Sequence, residues 1–368
     1  MSASPSISVP DLTPRQRNVV LLASFLGWFC AGLQMGQMNL VARSATQDFI
    51  RAGAITSESN FLWSNLGPGT KTASSLAPEP AKKLLAQRAP LWLAWYNSAF
   101  LFGAAAGGLL FGRLADRYGR HPAMTSSIAC YSFFAAAGYW ATTPEKFLLL
   151  RFLSSMGVGG MWPVAVALAS EAWGTRSRAL LAGIIGAAGN LGIVLLGVIG
   201  FYNQIAPQAW RWVMLITASP LLLAVWVAMV VPESPAWRRS RLQTASASKK
   251  TSTWEIFHPP LLSTTIIGII LGMIPLLGNW GTTAWFIPWA DAVKSASDPS
   301  AKAFASIMRA GGGAIGSFLG GGLATLLGRR TTYVLVSLAT LAVSEFTFTF
   351  LTSPPGIPRR SLSWDWSP

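Results

Sequence analysis

The chain divides into nine long apolar runs separated by polar connections. They are Val19 to Val41, Pro90 to Phe111, Pro122 to Thr143, Phe152 to Ser170, Ala179 to Phe201, Trp212 to Val231, Leu261 to Pro288, Ala310 to Gly328 and Thr331 to Leu351. Crossing about 30 Å of hydrocarbon takes about 20 apolar residues, and each run approaches or exceeds that length. Only the last contains a formal charge, Glu345. Backbone groups in lipid must be satisfied within the structure, and runs of this length point to helices rather than to the shorter alternating segments of a barrel. The expected fold class is all-α and polytopic. The first run starts late, is too long for the apolar core of a secretory signal and lacks a small-residue cleavage site, so it is expected to remain as the first helix.

Composition agrees with lipid as the main solvent. Only 11% of the 368 residues are charged and 52% are hydrophobic, against about 25% charge in soluble proteins. The 17 Trp and 35 Gly suit headgroup-level rings and close helix contacts. A net charge of +15 would raise nucleic acid as a partner in a soluble chain. Here the basic residues fall between apolar runs and read as topology signals, so no nucleic-acid partner is expected.

With the N-terminus inside, the inner connections hold 14 basic residues: Arg15, Arg17, Arg113, Arg117, Arg120, Arg176, Arg178, Arg238, Arg239, Arg241, Lys249, Lys250, Arg329 and Arg330. The short outer loops hold three, Lys146, Lys294 and Lys302. The long segment 42–89 adds six more outside, but long loops are weak determinants. The expectation is a protein of the cell (inner) membrane with a cytoplasmic N-terminus. Cys30 and Cys130 lie in separate apolar runs without metal-ligand spacing and read as buried free thiols.

Two connections are long. Residues 42–89, rich in Ser, Ala, Pro and Gly, read as a flexible outer loop with a short helix around Pro80 to Gln87; residues 232–260 read as a basic inner linker. The linker divides a six-helix unit (1–231) from a three-helix unit (261–351), with an irregular tail at 352–368. An internal repeat supports the division. At a constant offset of 209, Gly103, Gly107, Gly112, Gly119, Arg120 and His121 map onto Gly312, Gly316, Gly321, Gly328, Arg329 and Arg330. The implied architecture is a parallel repeat of six-helix bundles with the second incomplete.

The turn after the second run reads Gly112-Arg-Leu-Ala-Asp116-Arg117-Tyr-Gly119-Arg120-His121. Its glycines permit close approach, and Asp116 is expected at the start of the third helix, facing that helix's positive end and nearby Arg. Such a cluster either latches two helix bundles or is a plain positive-inside turn. This decapeptide resembles the signature of the major facilitator superfamily, Gly-x-x-x-Asp-Arg-x-Gly-Arg-Arg/Lys, with His121 departing at the last position. The copy at Gly321, Gly328, Arg329 and Arg330, with Thr325 in place of Asp, is similar to the second-half signature.

Arg151 followed by Gly157, Gly159, Gly160 and Pro163 resembles the family's fourth-helix motif. Pro232-Glu233-Ser234-Pro235 is similar to an element of the sugar porters and related organic-acid and organic-ion carriers. Glu171 and Arg178 look like members of those carriers' inner salt-bridge network. The resemblance implies a secondary transporter working by alternating access, with Gly112, Asp116, Arg117, Gly119, Arg120, Glu171, Arg178, Glu233, Gly328, Arg329 and Arg330 forming the inner latch. Substrate would sit near the midplane between bundles.

Enzyme chemistry finds no support in the residues. There is no G-x-x-x-x-G-K-[ST] string, and His121 and His258 are the only histidines; no cofactor or metal is expected. Polar and aromatic residues inside the runs are the substrate-binding candidates: Gln34, Asn39, Asn97, Arg151, Trp162, Asn190, Asn279, Trp280, Trp285 and Arg309. Each Asn or Gln is equally suited to bridging helices, and each Trp to anchoring at the interface. Arg151 and Arg309 open the fourth and eighth runs, where snorkelling competes with ligand binding. Glu345 is the coupling candidate.

The first helix reads Ala31-Gly32-Leu33-Gln34 where proton-coupled organic-acid carriers have Asp-Gly-x-Asp. The sugar porters' seventh-helix pattern is replaced by Gly278-Asn279-Trp280-Gly281-Thr-Thr-Ala-Trp285. The reading leans towards a small carboxylate or similar organic solute, with or without a co-transported proton, and keeps sugar as the alternative. A complete family member has twelve helices, so a truncated, non-transporting product or a regulatory membrane subunit competes with the carrier. A solute-binding membrane sensor is the third reading.

Overall fold

The structure, a computed structural model, describes residues 10–53, 78–173, 178–203, 205, 207–246, 253–281, 287 and 300–346. Within them the chain is helical, without strands. The elements are α1 (Pro14–Arg51), α2 (Pro78–Tyr118), α3 (Arg120–Ala137) with a 3₁₀ turn at Gly138–Trp140, α4 (Pro144–Trp173), α5 (Arg178–Tyr202), α6 (Trp212–Ala218), α7 (Leu221–Val230) and α8 (Pro235–Ser246). A 3₁₀ turn at Thr253–Phe257, α9 (Leu262–Gly281), α10 (Ala301–Leu326) and α11 (Arg329–Phe346) follow.

Every apolar run has its helix, and the sixth is shared by α6 and α7, which break at Ser219-Pro220 because proline cannot donate to the preceding turn. By length and composition α1, α2, α4, α5 and the α6–α7 pair can each cross a membrane.

Helices extend past the apolar runs. Helix α1 continues beyond Val41 to Arg51, so the outer connection starts later than expected. The short helix expected at Pro80 to Gln87 is the opening of α2, which carries Pro90 in its interior. Thr13 starts α1 with a capping box: its side chain accepts from the Gln16 amide while the Gln16 side chain accepts from the Thr13 amide. Part of the basic connection after α7 is itself helical, as α8.

The first seven helices enclose two buried clusters. One holds Phe49, Trp92, Tyr96, Phe147 and Trp210; the other holds Met124, Ile128, Tyr131, Met161 and Leu168. Between α2 and α4 the backbones touch: a Cβ at Gly107 would stand 1.8 Å from the Met156 carbonyl oxygen, and one at Gly159 2.0 Å from that of Ala104. In lipid, where burial of apolar surface gives no drive to pack helices together, this proximity is what yields dispersion contact.

Helix α10 packs along α5, with Asn190 Nδ2 donating to Ser317 Oγ at 3.4 Å. Tyr333 on α11 donates to the Leu271 carbonyl on α9 at 3.0 Å, and both helices keep exposed apolar side chains such as Ile267 and Leu338.

Candidate functional site

The turn between α2 and α3 is made by Gly119 at φ +117°, a conformation that a Cβ would strain. A Cβ there would also meet Glu233 Oε2 at 2.0 Å. That contact marks what sits on the turn: the Glu233 carboxylate accepts from the backbone amides of Arg120 at 2.9 Å and His121 at 3.2 Å. It thereby occupies the positive N-terminus of α3. The expectation for Asp116 is corrected here. Asp116 lies in the last turn of α2, its side chain 78% exposed; it pairs with a nearby Arg as expected, Arg120 Nη1 at 2.8 Å, but it neither starts α3 nor accepts from that helix's free amides. It cannot cap a helix whose start is reached only after the left-handed turn at Gly119.

Arg120 is the hub of this latch. Its Nη1 also donates to the Ala115 carbonyl at 2.8 Å, and its Nη2 lies 3.3 Å from Glu171 Oε1 on α4. Glu171 Oε2 accepts in turn from Ser234 Oγ, so the Pro232–Pro235 element closes a ring through α2, α3 and α4. Trp237 Nε1 donates to the Asp116 carbonyl at 2.9 Å, and Arg241 Nη1 to the Arg117 carbonyl at 3.1 Å, docking α8 on the same end. Arg117 lies over the Tyr118 ring.

Gly112 makes no close approach, since a Cβ there would meet nothing within 4 Å; the tight helix contact expected of it belongs to Gly107. Arg178 opens α5 and Arg329 opens α11, but their side chains lie outside the described residues. Gly328 shares a positive φ with Gly119, at +83°, and Arg330 is exposed.

Midway along these helices lies a cavity of about 550 Å³ between α1, α2, α4, α5, α9 and α10. Of the candidates, Asn39, Trp162, Asn190 and Arg309 line it. Trp28, which the sequence reading passed over, also lines it, and its ring lies 4.9 Å from that of Trp162. Arg309 stands in the third turn of α10 rather than at its opening, and its buried Nε has no hydrogen-bond partner among the described residues. No acidic side chain is among the lining residues.

Gln34 and Arg151 belong to the framework behind this cavity. Gln34 Nε2 donates to the carbonyls of Thr217 (2.7 Å) and Tyr131 (3.2 Å), and its Oε1 accepts from Ser154 Oγ. With those bonds made it ties α1 to α3, α4 and α6 and has little left for a ligand. Arg151, 3% exposed, does not open α4 and does not snorkel, because α4 begins at Pro144. Its Nη1 donates to the Gln34 carbonyl at 2.8 Å, and it lies 4.8 Å from the centre of the Phe100 ring, a wall of the cavity.

Asn97, one turn before Leu101 on α2, is not among the lining residues. Asn279, Trp280 and Trp285 have side chains outside the described residues. Glu345 is exposed near the end of α11, away from the cavity lining.

At the end of the first seven helices opposite the latch, the structure adds an ion pair that sequence reasoning missed. Arg211 Nη1 lies 2.5 Å from Asp48 Oδ2, which also accepts from Trp210 Nε1 at 3.1 Å. Arg211 donates further to the carbonyls of Tyr139 and Ala141. It adds one basic residue to the three lysines counted on the short outer loops.

The sequence profile of the Major Facilitator Superfamily matches residues 81–355. The chain belongs to this superfamily. Among its relatives, the 4-hydroxybenzoate transporter PcaK of Pseudomonas aeruginosa is 30% identical over 229 residues, which are 62% of this chain and 42% of the relative. The cis,cis-muconate transport protein of Acinetobacter baylyi is 25% identical over 265 residues, 71% of this chain and 63% of the relative. The chain thus spans about half the length of the curated relatives it matches.

In fold it resembles a bacterial homolog of the human lysosomal transporter Spinster in an inward-facing, unoccupied conformation, with a TM-score of 0.54 and 16% identity over 87% of this chain and 64% of that one. Membership makes this an integral membrane protein of a transporter superfamily, not an enzyme family.

Proposed function

We propose that the chain is a secondary transporter of a small organic carboxylate, working by alternating access with its N-terminus on the cytoplasmic side. The observation that carries this reading is the chemistry of the cavity. Arg309 presents a buried Nε without a partner among the described residues, Asn39 and the indoles of Trp28 and Trp162 add donors, and among the described residues no carboxylate lines the walls. A donor-rich, apolar pocket suits an anion, since a buried guanidinium Nε without a partner is costly until an acceptor reaches it. The Trp28 and Trp162 rings suit the organic part of such a solute, and the relatives named for 4-hydroxybenzoate and cis,cis-muconate carry flat, conjugated acids.

In this reading the ring of Arg120, Asp116, Glu171, Ser234 and Glu233 is the inner latch. It holds α2, α3 and α4 together with the element after α7, and its rearrangement accompanies rocking of one bundle against the other. The excess of basic residues at that end supports the cytoplasmic assignment.

The test is counterflow in proteoliposomes with radiolabelled 4-hydroxybenzoate, muconate, xylose and alanine. Carboxylate-selective exchange is expected. Exchange of xylose in preference to both acids would favour the sugar alternative, and no exchange by a correctly inserted chain would favour a non-transporting subunit.

A further inference from the structure

The outer surface of α2 changes character along one face. Phe102 and Leu109 are 72% and 74% exposed and lie two turns apart. Arg113 and Arg117 continue the same face at the next two turns, both exposed. An exposed apolar strip that ends in two guanidiniums matches the boundary between acyl chains and headgroups. Tyr118, 57% exposed, adds an aromatic ring at that level.

Helix α8 brings a third guanidinium to the same place. It starts five residues after Val230, the exposed end of α7, and is tied to α2 through Trp237 and Arg241. Arg241 donates to the Arg117 carbonyl at 3.1 Å, so its charge lies beside the end of α2. Arg238, one turn before it, is exposed as well. The acids nearby are engaged elsewhere: Asp116 holds Arg120, Glu233 caps α3, and Asp11 pairs with Arg239. Among the described residues no acidic side chain pairs with Arg113, Arg117 or Arg241.

We propose that Arg113, Arg117 and Arg241 form a binding site for an anionic phospholipid of the inner leaflet. The phosphodiester sits among the three guanidiniums and the acyl chains lie along Leu109 and Phe102. Guanidinium forks match phosphate oxygens, and the contiguous apolar strip is what selects a lipid over a soluble phosphate. Because Arg241 and Trp237 also hold α8 against the latch end, bound lipid would neutralise the repulsion that docking α8 there creates. The inference is independent of which solute is carried.

The test is native mass spectrometry of the detergent-purified full chain with phosphatidylglycerol, phosphatidylcholine and sn-glycerol 3-phosphate. Retention of phosphatidylglycerol several-fold above phosphatidylcholine is expected. Its affinity should fall about fivefold for each guanidinium removed in Arg113→Gln and Arg241→Gln, the fold-change of the ~1 kcal/mol that a basic residue contributes at an anionic membrane surface.

A control pair, Arg15→Gln and Arg330→Gln, removes exposed charge elsewhere and should leave binding unchanged. Equal losses in the control pair, unaltered binding in the first pair, or displacement of the lipid by equimolar glycerol phosphate would each overturn the proposal. Gel filtration and circular dichroism of every variant confirm that it is folded before binding is compared.

Discussion

Glu233 and Arg120 are joined through the backbone: the carboxylate after α7 accepts from the amide that opens α3, at 2.9 Å. The two residues are 113 positions apart, and the bond makes the Pro232–Pro235 element a helix cap as well as a connector. A carboxylate at a helix N-terminus gains from both the free amides and the aligned peptide dipoles. Glu233→Gln keeps the shape and removes the charge, and should lower stability by about 1 kcal/mol. Thermal unfolding in detergent, followed by intrinsic fluorescence, should show a lower midpoint for the variant.

The two motif glycines should respond oppositely. Gly119→Ala places a Cβ into a left-handed turn and onto Glu233, and should cost about 1–3 kcal/mol. Gly112→Ala enters open space in the interior of α2 and should be neutral, or stabilising by up to about 1 kcal/mol. Side-by-side melts of the two variants check this, and equal destabilisation would contradict the turn geometry described here.

Asp48 and Arg211 should be coupled. Their side chains are 22% and 29% exposed, and Arg211 makes two further bonds to carbonyls at the α3–α4 connection. Removing either partner leaves the other partly buried and unpaired. A double-mutant cycle of Asp48→Asn and Arg211→Gln should give a coupling of about 1–2 kcal/mol, after discounting for solvent screening. Purely additive losses would reduce the pair to a surface contact.

Much of this architecture was legible as apolar runs, because lipid-length blocks leave few alternatives to helices. The repeat was legible too, and Gly119 and Gly328, paired by the offset of 209, both adopt positive φ. The ends of helices were not. Ser44, Thr46 and Asp48 read as the start of a loop because they are polar, yet Ser44 and Thr46 are buried and bond to the Ile205 and Ala42 carbonyls. Tertiary partners, invisible to a run of hydropathy, keep α1 going to Arg51.

The same blindness put Arg151 at a helix opening, since the polar Thr143-Pro-Glu-Lys stretch masks the early start of α4. In the candidate cavity, Arg309 and Trp162 were legible from their chemistry alone. Trp28 was not, because a tryptophan in an apolar run reads as packing until its neighbour across the bundle is known.

Gln34 and Arg309 offer a contrast between framework and site. Gln34→Leu removes three hydrogen bonds among α1, α3, α4 and α6 and leaves the Thr217 carbonyl without its side-chain donor, while the Tyr131 carbonyl keeps Ser154 Oγ at 3.2 Å. It should destabilise the fold by about 2–3 kcal/mol. Arg309→Gln removes a guanidinium whose Nε has no partner, and should leave the melting midpoint within the range of a surface substitution or raise it. Thermal melts of both variants, without added solute, check the contrast.

The most direct measurement of the central claim is counterflow of labelled 4-hydroxybenzoate into proteoliposomes holding either the native chain or Arg309→Gln, with both shown to be folded and inserted. The account predicts exchange by the native chain and a loss of tenfold or more in the variant, the effect of removing a charge-assisted anchor from a buried anion. Unchanged exchange after the substitution would contradict the assignment of the cavity as a carboxylate site.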